Sequence, residues 1–293
     1  MTRFRVFLML AFILFTAALH AAEQSVTLGS MAVTVWSEET RGTPKQPVII
    51  FSHGFHGCAT QSRFLMEAFA SGGYLVFAPN HQDAACHGGA SHWIDGPQVS
   101  FGKPGLWTET AYQDRAEDIH HVIDAIREDE RFRARADLSG LGLAGHSLGG
   151  YTVLGLAGAW PHWKLTGLRA VLALSPYTQP FILQKTLRGL SAPVMYQGGT
   201  HDVGITPAVR KSMGAYDQSA EPKYYVEFDK AGHFAWTDMG RRATHEPIVA
   251  YSVAFMDHYV KGELASLLLT RAVQGVARLR YASDVGHNDR GGP

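Results

Sequence analysis

Six short, nearly continuous apolar runs recur along this 293-residue chain, separated by segments with helical periodicity. They are Pro47–Ser52, Tyr74–Ala78, Leu141–Gly145, Arg169–Leu174, Ala192–Gln197 and Lys223–Phe228. A strand that is apolar on both faces must be covered on both, which is the condition of a parallel sheet layered between helices. The intervening segments supply that cover. Gln61–Ser71 gathers Phe64, Leu65, Ala68 and Phe69 on one face and stops at Gly72-Gly73. Thr108–Glu128 repeats Ile119, Val122, Ile123 and Ile126 at helical spacing. Helices are also expected over Leu148–Ala159, Thr206–Tyr216, 246–260 and 263–279, with a frayed tail after Tyr281. Val26–Trp36 alternates around Gly29-Ser30 and reads as an edge hairpin. Pro79–Trp107 has little periodicity; loops of about 28 residues inside a domain are usually functional or mobile. The expectation is an α/β class, with a mostly parallel central sheet and helices on both faces.

Residues 1–22 are set apart from that domain, which is expected to span residues 23–293. Arg3 and Arg5 precede an apolar run, Val6–Leu19, and small residues follow at Ala21-Ala22. This is the pattern of a cleaved export signal, and the run is shorter than the roughly 20 residues of a membrane span. The longest later apolar run is Leu264–Leu269, so no stable membrane span is expected after cleavage. The destination is then secreted or periplasmic. An oxidising compartment favours a disulfide between the two cysteines, Cys58 and Cys86, with two separate buried thiols as the alternative. Basic and acidic residues both number 26, which leaves no electrostatic footprint for nucleic acid.

Gly145-His146-Ser147-Leu148-Gly149-Gly150 carries the chemistry. G-x-S-x-G alone is a weak pattern, but here it leaves an apolar strand and opens a helix, as a nucleophile elbow requires. A serine hydroxyl needs a base held in one tautomer. In the Ser, Asp, His chain order, Asp202 follows the strand ending at Gln197, and His233 follows the strand ending near Phe228. Both leave carboxyl ends of strands, where open α/β sheets build sites. The loop after Leu174 begins Ser175-Pro176 and offers no carboxylate. Two N–H donors are expected for an oxyanion: that of Leu148, and that of Phe55 in Ser52-His53-Gly54-Phe55-His56-Gly57, with Gly54 as the alternative. Trp93, Trp107 and Tyr177 are candidate pocket walls. The densest cluster of metal-ligand types, His81, Asp83, Cys86 and His87, matches no structural zinc spacing. No metal or cofactor is expected.

The order Ser-His-Gly-Phe, Ala-Pro-Asn-His, Gly-His-Ser-Leu-Gly-Gly, Gly-Thr-His-Asp and Ala-Gly-His-Phe resembles the α/β-hydrolase superfamily. Phe-Ser-His-Gly and Pro-Asn-His-Gln-Asp are similar to its platelet-activating-factor acetylhydrolase, chlorophyllase and dienelactone-hydrolase-like group. The resemblance implies an α/β-hydrolase fold and a carboxylic ester hydrolase acting through an acyl-enzyme on a small-molecule ester. Two departures narrow it. Dienelactone hydrolases carry a cysteine nucleophile where this chain has Ser147. Secreted polyester hydrolases usually carry a C-terminal disulfide, and no cysteine follows Cys86. About 17 residues between Leu174 and Ala192 leave no room for a large lid domain. An open site for short-chain or soluble esters is therefore expected. Acyl transfer, amide or lactone cleavage are alternatives on the same site, and polyester hydrolysis is the less expected one.

Overall fold

A computed structural model describes residues 21–38, 45–86 and 91–288. The expected export signal and His87 lie outside these residues, save for Ala21 and Ala22. The edge hairpin forms where alternation places it, as β1 (Ala22–Leu28) and β2 (Met31–Ser37). The apolar runs become β3 (Gln46–Ser52), β4 (Leu75–Pro79), β5 (Ala136–His146), β6 (Leu168–Leu174), β7 (Val194–Gly199) and β8 (Lys223–Phe228). These six pair in parallel in the order β4-β3-β5-β6-β7-β8. β1-β2 continue the sheet antiparallel beyond β4, and β9 (Val276–Ser283) and β10 (Gly286–Asn288) do so beyond β8.

The strands bury alternate residues on opposite faces. Val48 and Ile50 of β3 join the cluster under α2 (Gln113–Glu128) and α3 (Leu148–Leu154). Ile49 and Phe51 join the cluster under α1 (Arg63–Ser71) and α7 (Arg242–Met256). The largely parallel sheet with helices on both sides is thus the one the apolar runs require. α4 (Gln179–Gln184), α5 (Thr206–Arg210) and α6 (Ala215–Gln218) are short, and α4 with one 3-10 turn, Thr186–Gly189, occupies the segment in which a lid would sit.

Three boundaries differ from expectation. The helix over Thr206–Tyr216 is two pieces, because Met213 takes φ 57° and Gly214 packs against the carbonyls of α5. The helix over Leu148–Ala159 changes to a wider turn after Leu154, and Gly158 at φ 119° leaves helical geometry altogether. The closing helix over 263–279 does not form. Leu267–Leu269 makes one tight turn, and Gly275 at φ 89° starts β9, which pairs with β8 instead. Arg278 and Arg280, two apart and so on one face of the strand, pair with Glu227 and Asp217. After Tyr281, where a frayed tail is expected, Gly286–Asn288 pairs with Tyr281–Ser283 in the β9-β10 hairpin.

Candidate active site

Four strands converge on one edge of the sheet. β3 ends at Ser52, β5 at His146, β6 at Leu174 and β7 at Gly199, and all run in parallel. Ser147 sits between β5 and α3 at φ 56° and ψ −113°, a conformation costly for a residue with a side chain. The elbow closes only because its neighbours lack one. A Cβ on Gly149 would overlap the Ser52 carbonyl, and a Cβ on Gly145 would overlap the backbone of Gly149. The strain and the close packing together push Oγ out of the sheet edge, where Ser147 is half-buried.

His233 Nε2 lies 2.9 Å from Ser147 Oγ. Asp202, almost fully buried, lies behind His233, but its closest Oδ1 to Nδ1 distance is 3.4 Å. Ser175, which begins the loop after β6, lies between them. Its Oγ is 2.8 Å from His233 Nδ1 and donates to Asp202 Oδ2 at 2.6 Å. Thr206 Oγ1 donates to the same oxygen at 2.9 Å. Burial alone would raise the Asp202 carboxyl; the neighbouring His233 and the hydrogen bonds from Ser175 and Thr206 outweigh it and hold the group below the usual carboxylate range. The site therefore keeps a buried negative charge against the imidazole.

The loop after β3 is fixed one peptide group at a time. Arg115, fully buried on α2, donates through Nη2 to the His53 carbonyl. The Gly54 N–H donates to Gln61 Oε1 at 3.0 Å. The Gly54 carbonyl accepts from His53 Nδ1 at 2.7 Å and from the Gly57 N–H at 2.9 Å. That leaves the Phe55 N–H without a partner among the described residues. Between the two expected donors, Gly54 is thereby occupied and Phe55 is free. The Leu148 N–H opens α3, where first-turn amides have no intrahelical partner. The elbow and this loop touch: a Cβ on Gly54 would lie 3.4 Å from Ser147 Cβ.

Two polar chains tie these loops together. His146 donates through Nε2 to the His233 carbonyl at 2.8 Å, and its Nδ1 accepts from the Gln61 amide at 3.1 Å. Burial, and then the neighbouring His233, lower His146 to about 3, so it stays neutral and keeps that tautomer. Beneath the loop, Arg115 holds Asp83 through Nη1 and donates to Ser52 Oγ. Ser52 Oγ is 2.9 Å from His81 Nε2, and His81 Nδ1 is 2.8 Å from Asp118. Ser52, His81 and Asp118 thus repeat the Ser-His-Asp connectivity, but Ser52 is fully buried and its Oγ is already an acceptor for Arg115. No substrate reaches it. Burial, with Arg115 adding to it, also holds His53 and His81 well below the ordinary histidine value.

These three histidines make stability acid-sensitive. Each is neutral when folded and binds a proton when unfolded below about pH 6.5, so their contribution is complete above that pH. It is lost as pH falls from there toward the folded values, by roughly 1.4 kcal/mol per pH unit for each histidine. Asp118, pushed up to about 6 by burial, works the other way below that pH and offsets part of the loss. Thermal unfolding at pH 5 is expected well below that at pH 7; equal melting temperatures would place charged histidines in the folded core.

A cleft of about 1010 Å³ opens over Ser147 and His233. Tyr177 and Trp93 line it. Trp107 does not. It is buried behind the wall, with its ring 4.7 Å from that of Tyr177 and its indole N–H donating to Ser100 O. It packs among the rings of Phe101, Tyr112, Tyr151 and Tyr177, and that packing outweighs exposure at the cleft. Cys58 and Cys86 also line the cleft, and the structure records no bond between their sulfurs. They are neighbours, since burial and the adjoining Cys58 push the Cys86 thiol up to about 12. His81, Asp83 and Cys86 converge on no metal: the first two are held by Asp118 and Arg115. Among the described residues no cluster of ligand types is arranged to hold an ion.

A strained serine at a strand-to-helix turn, with its partners on later strand ends of a mostly parallel sheet, defines an α/β-hydrolase. Within that superfamily the chain belongs to the PET hydrolase-like family, which matches residues 107–266, more than half its length. The platelet-activating factor acetylhydrolase isoform II family matches residues 10–92. Similar proteins include cutinase est2 of Thermobifida alba, 28% identical over 216 residues, covering 72% of this chain and 59% of the relative. Cutinase of Thermobifida fusca (strain YX) is 24% identical over 266 residues, covering 84% and 83%. Cutinase 1 of Thermobifida cellulosilytica is 30% identical over 147 residues, covering 50% of each. The chain spans less than two thirds of the length of the Thermobifida alba relatives.

Proposed function

We propose that this chain is a secreted serine hydrolase of carboxylic esters. Ser147 attacks the acyl carbon while His233 takes its proton and later returns it to the leaving alcohol. Asp202 orients His233, and the Phe55 and Leu148 N–H groups hold the oxyanion. Water then releases the acid from the acyl-enzyme. The observation that carries this reading is the 2.9 Å contact of Ser147 Oγ with His233 Nε2 at the floor of an open cleft.

The cleft favours a neutral, apolar ester. Among the described residues no lysine or arginine lines it. Its rim holds exposed Trp93 (73%), Val203 (82%), Phe234 (56%) and Met239 (76%), side chains that single occurrence would not explain but clustering does. An apolar rim of this kind suits a polyester segment at least as well as a short soluble ester. The lack of a cysteine after Cys86 does not weigh against this, because β9 anchors the C-terminal segment through sheet pairing. The test is release of soluble acid from polyester film beside hydrolysis of p-nitrophenyl esters of increasing acyl length. Release that disappears in Ser147→Ala supports the polyester reading. Turnover of short esters alone, with no release from film, assigns the soluble substrate class.

Export into an oxidising compartment is part of the same proposal, and it predicts that Cys58 and Cys86 join. A disulfide closing a loop of about 29 residues stabilises by roughly 3–4 kcal/mol in the chain-entropy model. Protein recovered from an oxidising compartment is expected to show no free thiol in denaturant and a melting temperature that drops on reduction. Two titratable thiols in that material would refute the bond.

A further inference from the structure

We propose that Ser175 is a positioning residue that links Asp202 to His233, so that the triad works as a four-membered relay. This rests on the serine-hydrolase reading above and assigns the site a member that its sequence motif does not contain. The direct approach of Asp202 to His233 Nδ1, 3.4 Å, is too long for a strong charge-assisted hydrogen bond. The path through Ser175 has two short links, 2.8 Å and 2.6 Å. The donor directions are fixed. Asp202 only accepts, so the Ser175 hydroxyl proton points at Oδ2. Ser175 Oγ then has lone pairs left for the Nδ1 proton of His233. That protonation leaves Nε2 free to accept from Ser147.

The backbone says the same. Ser175 is fully buried at φ 42°, a left-handed conformation in which a side chain is disfavoured. Its N–H donates to Gln197 O at 2.8 Å, and the Ser147 N–H donates to Leu174 O at 3.0 Å. The strand ends carrying Ser147 and Ser175 are therefore locked in register. Glycine would meet the conformational demand better, so the hydroxyl has a use that offsets the strain. The other titratable groups facing His233 leave this role to Ser175. His146, with its ring 4.9 Å away, is engaged with the His233 carbonyl and Gln61. Asp238, on the turn after His233, accepts from the Phe64 N–H.

The test compares the full chain with Ser175→Gly and Ser175→Ala on p-nitrophenyl acetate, beside Ser147→Ala. Glycine relieves the left-handed backbone, so that variant keeps the fold. The expected result is a kcat lower by about tenfold or more, short of the roughly 10⁴-fold seen when a triad aspartate is neutralised, with KM little changed. The acid limb of the kcat profile moves to lower pH, because the imidazolium loses its hydrogen-bonded link to the buried charge. Nitrogen-15 NMR titration of the His233 ring, which needs no substrate, shifts in the same direction. An unmoved His233 titration in both variants would overturn the proposal, whether kcat is retained or falls together with melting temperature. Absence of any turnover dependent on Ser147 in the wild type would sink the ester-hydrolase reading instead, and the NMR titration would still decide the role of Ser175.

Discussion

Ser147→Ala is expected to lower kcat by about 10⁵- to 10⁶-fold on any ester the wild type turns over, while leaving the melting temperature nearly unchanged. The size follows from the way the parts act together. Without Oγ no acyl-enzyme forms, and what remains is an oxyanion pocket and a binding cleft with nothing to attack the carbonyl. His233→Ala should cost nearly as much alone, and the double variant little more, because a base without a nucleophile has no work to do. The measurement is the initial rate on p-nitrophenyl esters, supported by labelling of Ser147 with a fluorophosphonate. Near-wild-type turnover in Ser147→Ala would remove this serine from the mechanism. Multiplicative losses in the double variant would show that Ser147 and His233 do not share one step.

Arg115→Met should have the largest effect on stability. The guanidinium is fully buried and holds Asp83, Ser52 and the His53 carbonyl at once. Removing one partner from a buried pair leaves an uncompensated charge and costs about 3–5 kcal/mol. Here Asp83 is the carboxylate left behind, with Asp118 close on the same network. Urea denaturation would measure the loss. The surviving folded fraction should also show a lower kcat, since the peptide group that precedes the free Phe55 N–H is no longer held. Arg115→Lys should recover part of the stability but less of the rate, because a single ammonium cannot reproduce the planar fork. Equal stability of Arg115→Met and wild type would mean that the buried carboxylates are already neutral.

How much of this was readable in the chain depends on whether the information was local. Leu141–Gly145 running into Ser147 and Leu148 is a strand, a turn and a helix within ten residues, so the elbow could be read directly. Asp202 and His233 were legible because each follows an apolar strand, and strand ends in a parallel sheet share one edge. Ser175 occupies an equivalent place, yet serine carries no charge, and its role appears only when three strand ends meet. Arg115 had a fainter signal. It lies at the buried register of α2, four residues before Ile119 and seven before Val122, where an arginine must find partners. The partners themselves, at positions 52, 53 and 83, cannot be inferred from helical spacing. The misread closing helix has a physical cause too. Leu264–Leu269 is apolar enough to suggest a packed helix, while the alternation of Arg278 and Arg280 that marks β9 begins only after Gly275.

The exposed apolar side chains that line the cleft bear on more than substrate fit. Trp93, Val203, Phe234 and Met239 line the same cleft as Ser147. A molecule built this way would partition to any oily or plastic boundary with its reactive end facing inward, since adsorption and productive orientation use one patch. Its rate on a solid would then saturate with the amount of enzyme once the boundary is covered, and depend on how quickly each molecule lets go. Substituting serine at Val203 or Met239, both outside the hydrogen-bonded core, would shorten the residence time on the solid without touching the chemistry on dissolved esters. Adhesion and turnover could in that way be tuned separately on one scaffold.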